Sequence, residues 1–240
     1  MDGLNREIEM TNLGKTLTTI VLIAAFTGTA FANVDEGTTQ ESKWNFEVLL
    51  NNKPIGFHSF DVSDDGGNKV LKTRASFDVK VLFINAFRYR HDNTEVWSNG
   101  CLKSIDANTN SNGDVLSVRG ERGADETTVF TTAGEQTLGS CVQTFAYWNP
   151  DILQSRQLLN SQTGELEDVS VEKDGLDTVE VNGTPVDAVK YSLKAKAGVI
   201  TLWYSNDESQ RWLGLEAPAK GGRKLRYIPV DVPAGHNAAA

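Results

Sequence analysis

Apolar and polar residues alternate one for one along most of this chain, and that period of two limits its fold more than any other feature. Trp44, Phe46, Val48 and Leu50 alternate with Asn45 and Glu47. Side chains two apart share one face of a strand, so such a run reads as a strand with one face buried. Ala75, Phe77, Val79, Val81 and Phe83 repeat the pattern against Arg74, Ser76, Asp78 and Lys80. Phe87, Tyr89, His91 and Trp97 repeat it against Arg88, Arg90 and Asp92. Shorter strands are expected at 102–107, 115–118, 127–131, 157–160, 165–173, 178–181, 186–196, 199–204, 211–216 and 224–230. Between them stand residues that tolerate positive φ, as in Asn51-Asn52-Lys53-Pro54, Asp64-Asp65-Gly66-Gly67 and Val181-Asn182-Gly183-Thr184. Lys173-Asp174-Gly175 reads as one more hairpin turn. The expected fold is mainly β, an antiparallel meander of about a dozen strands forming a barrel or half-barrel with one short helix. A two-sheet β-sandwich is the alternative.

The stretch from Ser140 to Leu153 breaks the rhythm. Val142, Phe145, Tyr147 and Trp148 fit a short helix better than a strand, with Ser140 as N-cap and Pro150 ending it. The stretch also carries Cys141, one of two cysteines; the other is Cys101. In an exported chain the two are expected to form a disulfide, worth about 4 kcal/mol by the chain-entropy argument. Two buried free thiols are the bland alternative, and nothing resembles a C-x-x-C redox pair.

Residues 1–32 read as an export signal. Leu17 to Phe26 is apolar apart from Thr18 and Thr19, and Ala30-Phe31-Ala32 supplies an A-x-A cleavage pattern before Asn33. The apolar run is shorter than the ~20 residues that span a bilayer, so no transmembrane segment is expected after cleavage. Arg6, Glu7 and Glu9 make an unusual acidic lead, whereas from Met10 onward only Lys15 is charged before the apolar run, which makes Met10 the candidate start. No cysteine marks a lipid anchor at the cleavage site. A periplasmic or secreted location follows, with 33–230 as a single β-rich domain and 231–240 as a disordered tail. The net charge of −9 sets the chain against nucleic acid. Arg223-Lys224 and Arg226 are expected to guard an edge strand.

Several markers together resemble a known family. They are Trp44-x-Phe46-x-Val48 leading to Ile55-Gly56-x-His58-x-Phe60, and Phe77-x-Val79-Lys80-x-Leu82-Phe83. His91-x-x-x-Glu95-x-Trp97 with Cys101-Leu102, Tyr147-Trp148-Asn149-Pro150 and Leu202-Trp203-Tyr204 complete the set. As a set they look like a family of exported bacterial proteins known as family of unknown function 6134, over roughly residues 44–227. The resemblance implies an exported β-rich domain and brings no activity and no catalytic residues. The strand order also resembles periplasmic half-barrel proteins that carry lipids, a likeness of fold alone.

Motifs for common chemistry are missing: no G-x-S-x-G, H-E-x-x-H, phosphate loop or G-x-G-x-x-G. No cofactor is expected, and the reading leans away from an enzyme. His58, His91 and Glu95 are the candidates for a metal or an acid–base pair. Residues four apart on a strand lie about 13 Å apart, however, so His91 and Glu95 cannot hold one ion directly without a bulge between them. No metal site is expected, and histidines hydrogen-bonded at the edge of the core are the ordinary reading. Candidate ligand-binding residues are Phe83, Tyr89, His91, Trp97, Tyr147, Trp148, Trp203 and Tyr204, as aromatic walls of an apolar cavity; ordinary core packing is the alternative. Arg88, Arg90, Lys194 and Lys196 read as solvated faces, or as a greeting for an anionic headgroup. The function expected is an exported binding or carrier module for an apolar small molecule or lipid. An envelope structural or interaction protein is the alternative, and a histidine-dependent enzyme comes third.

Overall fold

The computed structural model describes residues 41–81 and 84–233. The expected export signal, Phe83, and residues 234–240 of the expected tail lie outside the described residues. Eight strands follow one another as antiparallel hairpins: β1 (Ser42–Leu50), β2 (Lys53–Asp65), β3 (Asn68–Val81), β4 (Ile84–Ser98), β5 (Cys101–Ser111), β6 (Asp114–Arg122), β7 (Glu126–Thr131) and β8 (Gly134–Gly139). β9 (Gln157–Leu159) and β10 (Leu166–Asp168) form a separate two-stranded ribbon. A second meander follows, made of β11 (Ser170–Val181), β12 (Thr184–Ala195), β13 (Gly198–Ser205), β14 (Trp212–Ala219) and β15 (Arg223–Asp231).

The two meanders join because β15 pairs antiparallel with β1, Val48 lying opposite Tyr227. The result is one 13-stranded sheet running from β11 through β15 to β1 and on to β8. Its edges, β8 and β11, do not pair with each other, so the sheet is an open half-barrel rather than a closed barrel. Tight turns follow from the residues supplied. Asn51 and Asn52 have φ of 49° and 62°, and Asn182 and Gly183 have 51° and 76°, the conformations a two-residue hairpin needs. Bulges at Val48/Leu49, Val79/Lys80, Val96/Trp97 and Trp203/Tyr204 add local bend and twist. The curl brings β11 close to β14 and β15.

Alternation delivers the apolar faces to the concave side. Trp44, Phe46, Phe60, Leu71, Leu193, Leu202, Tyr204 and Trp212 form one cluster with Ile152 and Leu158. Trp97, Leu102, Ile105 and Val118 form a second with Val142, Ala146 and Leu159. The irregular segment after β8 thus seals both clusters. The disulfide Cys101–Cys141 is formed, with Cα atoms 5.0 Å apart, and Leu102 N donates to Val142 O beside it at 2.8 Å. Among the described residues no helix is long and apolar enough to cross a membrane.

Four expectations are corrected. The short helix is a 3-10 turn at Pro150–Gln154, not a helix capped by Ser140. Asn149 is its N-cap, accepting from Asp151 N, and Pro150 sits at its first position; the proline opens the helix because its missing N–H would be unpaired there in any case. Lys173-Asp174-Gly175 is a bulge inside β11, which stays paired with β12 on both sides. The expected strand at 165–173 divides between the ribbon's β10 and the start of β11. Arg223, Lys224 and Arg226 lie on β15, an interior strand, where Lys224 and Arg226 pair with Glu216 of β14 at 2.8 and 3.5 Å.

Candidate functional site

Strand register arranges the concave face in rows. One row runs His58, Ala75, His91, Thr109 across β2 to β5. With strands about 4.8 Å apart, the two histidine backbones stand about 10 Å apart across β3. The row on one side holds Tyr227, Val48, Gly56, Phe77 and Tyr89, and the row on the other holds Phe60, Thr73 and Asn93. A further row pairs Leu71 with Glu95. The glycine in this array is required: with φ at 151°, a Cβ on Gly56 would lie 1.8 Å from Ser76 O of β3.

These rows line a cavity of about 890 Å³. From β2 to β4 the lining mixes His58, Thr73, Tyr89, His91, Asn93 and Glu95 with the apolar Ile55, Phe60, Leu71, Phe77 and Val79. Strands β13 to β15 add the apolar Ile200, Leu215, Ala217 and Leu225, together with Tyr227. Phe145, Ala146 and Tyr147 of the irregular segment floor the cavity. The rim carries Phe87, Asn112, Lys220 and Arg223, all exposed.

Burial holds both histidines neutral. His58 Nδ1 lies 3.0 Å from the Tyr227 hydroxyl, and its ring packs 4.1 Å from that of Phe60. Desolvation first, and then the neighbouring His91, lowers its pKa to about 3. His91 Nδ1 lies 2.8 Å from Thr109 Oγ1; desolvation lowers its pKa to about 4, against the pull of Asp92. Glu95 accepts from Asn93 Nδ2, Trp97 Nε1 and Thr144 Oγ1 at 2.9, 2.9 and 3.0 Å. Burial nevertheless raises its carboxyl above the usual range, the three donors opposing that rise. Burial likewise pushes the Tyr89, Tyr147 and Tyr227 phenols up.

Of the residues expected at a ligand site, Tyr89, His91 and Tyr147 reach the cavity. Trp97 is buried in the second cluster and serves Glu95, while Trp148 meets it edge to face at 5.9 Å. Tyr204 is core, its hydroxyl donating to Tyr147 O at 2.8 Å. Trp203 lies on the opposite face, donating to Asp177 Oδ2 at 2.8 Å, because consecutive strand residues cannot share a face. Asn93, Thr73 and Tyr227 line the cavity and were not singled out by sequence reasoning. The parity that selects His91 selects Asn93 as well. Tyr227 is placed by the pairing of the first strand with the last, which no local pattern conveys. Arg88 and Arg90, expected as a solvated face, both pair with Asp78, at 3.2 and 2.7 Å.

Chemically, the arrangement offers apolar contacts interspersed with hydrogen-bonding side chains, the two histidines among them held neutral by burial. Among the described residues no group of three or more His, Cys, Asp or Glu could hold a metal ion. Fold and site together define an open antiparallel half-barrel with a cavity of ligand size on its concave face. The family model for a domain of unknown function, DUF6134, matches residues 46–230, and the chain belongs to that family. No curated protein matches it.

Proposed function

We propose that this protein is an exported carrier that holds one apolar or lipid-like molecule in its concave cavity. The observation that carries the reading is the 890 Å³ space beside the apolar wall of β13 to β15. Small-molecule sites are concave, mostly apolar and about 300–1,000 Å³ in volume. A protein interior packed only for stability fills such space, because each missing contact loses dispersion energy. Export is supported by the apolar, A-x-A-terminated stretch at the start of the chain and by the disulfide, which persists in oxidising compartments.

Filling the cavity tests the reading. Ala217 stands on the apolar wall, half-buried. Ala217→Phe is expected to weaken binding of the uncharged dye Nile red by about ten-fold or more, a loss of about 1.4 kcal/mol, with the folded far-ultraviolet spectrum retained. Equal binding by a folded variant would place the dye, and the carrier role, elsewhere.

A further inference from the structure

Four cations sit on the β14–β15 hairpin, Lys220, Arg223, Lys224 and Arg226, and strand parity divides them. Lys224 and Arg226 point to the convex face, where both pair with Glu216, at 2.8 and 3.5 Å. Arg223 shares its face with Leu225 and Tyr227, and all three line the cavity. Opposite it on β14 stands Ala219, the end of a second column with Leu215 and Ala217 on the same lining. The two columns thus lead out of the cavity to a guanidinium at its exposed mouth. Lys220, in the turn between the strands, joins it there.

These two cations are positioned but not engaged. Arg223 Nε donates to Lys220 O at 2.8 Å, which holds the guanidinium and leaves both terminal nitrogens without a partner among the described residues. Neither side chain forms an ion pair among the described residues, although the chain has a net charge of −9. Lys196, between the lining residues Ala195 and Ala197, is by contrast held by Glu165 at 2.7 Å.

The rest of the lining decides which way a guest points. Lys220 and Arg223 are its only Lys and Arg. Its buried acids are engaged: Glu95 has three donors, and Glu167 accepts from Asn160 Nδ2 at 2.9 Å and Lys196 N at 3.2 Å. Its remaining acid, Asp114, is exposed, so the mouth carries two cations against one carboxylate. An anionic head carried inward would lose its water without gaining a counter-charge. At the mouth it keeps part of its water and meets a fork of N–H donors that matches a carboxylate or phosphate. A cationic head is repelled there, and an uncharged one leaves the pair unused.

We propose that the guest is an anionic amphiphile, a hydrocarbon bearing a carboxylate or a phosphate monoester. Its head binds Arg223 and Lys220 at the mouth, and its hydrocarbon lies inward along Ala219, Ala217 and Leu215. The inference rests on the carrier reading and specifies its ligand class.

The test is displacement of Nile red from the full processed chain at neutral pH by four amphiphiles of equal chain length, each below its critical micelle concentration. They are decanoate, decyl phosphate, decanol and decyltrimethylammonium. The better anion is expected to displace the dye at concentrations about five-fold or more below decanol, a margin suited to charge-assisted hydrogen bonds at a partly exposed site. The cation is expected to be the weakest of the four, and the leading anion identifies the head as carboxylate or phosphate. The paired variant Arg223→Gln, Lys220→Gln changes only exposed side chains and is expected to fold, and to bring that anion to within about two-fold of decanol. Lys53→Gln, on the adjoining β1–β2 hairpin but off the lining, is expected to keep the preference. A preference retained by the paired variant, or lost equally in Lys53→Gln, overturns the assigned head site. Displacement by anions and decanol alike, or tighter binding of the cation, overturns the anionic head and leaves the carrier reading standing. No displacement by any of the four overturns both.

Discussion

Glu95 is 1 % exposed, and its hydrogen bonds tie β4 to the irregular segment through Thr144. Its raised pKa means that the folded chain keeps this proton at pH values where the unfolded chain has released it. Stability therefore falls as pH rises above 4.5, the ordinary glutamate value, and through the folded pKa. Because the histidines act oppositely over part of the same range, the signature is the difference between two proteins: the urea midpoint of the wild type is expected to lose ground to that of Glu95→Gln as pH rises through that range. The histidines act in the opposite sense. Their pKa values, lowered to about 3 and about 4 from 6.5, give stability that is complete above 6.5 and lost as pH falls below it. Each unit of displacement between folded and unfolded values is about 1.4 kcal/mol. His58→Phe is thus expected to shift the acid-unfolding midpoint to lower pH, and an unchanged midpoint would show that His58 is already charged in the folded protein.

At the scale of elements, the strands were largely legible because a half-buried strand writes its parity into the sequence. β1 to β4 follow that parity, as do the Asn-rich turns at Asn51-Asn52 and Asn182-Gly183. Where parity is absent, the reading fails. β8 buries no residue fully, so its sequence Gly134–Gly139 carries no strand signal, and its pairing with β7 alone makes it a strand. Asn149-Pro150 carries a signal that points both ways, ending one helix or opening the next, and only packing of Ile152 into the core decides. The cavity was half legible: Tyr89 and His91 follow from parity, whereas the apolar wall depends on how far the sheet curls. Two predictions belong here. Gly56→Ala would force a Cβ against Ser76 O and is expected to destabilise by more than about 2 kcal/mol, read as a drop in the urea midpoint. Cys101→Ser with Cys141→Ser releases a 40-residue loop and is expected to cost about 4 kcal/mol, read in the same way.

For the whole molecule, the decisive feature is that a sheet of 13 strands stays open yet curls far enough to enclose space. The lining comes from both meanders, the polar side chains mainly from β2 to β4, among apolar residues of the same strands, and further apolar residues from β13 to β15. A mostly apolar, concave lining with a few polar groups is what a small-molecule site has. Native mass spectrometry of the exported, tag-free protein, with an organic extract of the same sample alongside, tests this most directly. The carrier account predicts added mass on the processed chain that disappears on extraction, with an apolar or lipid-like molecule recovered in the extract. A single apo mass from the native compartment, with nothing recovered in the extract, would contradict it.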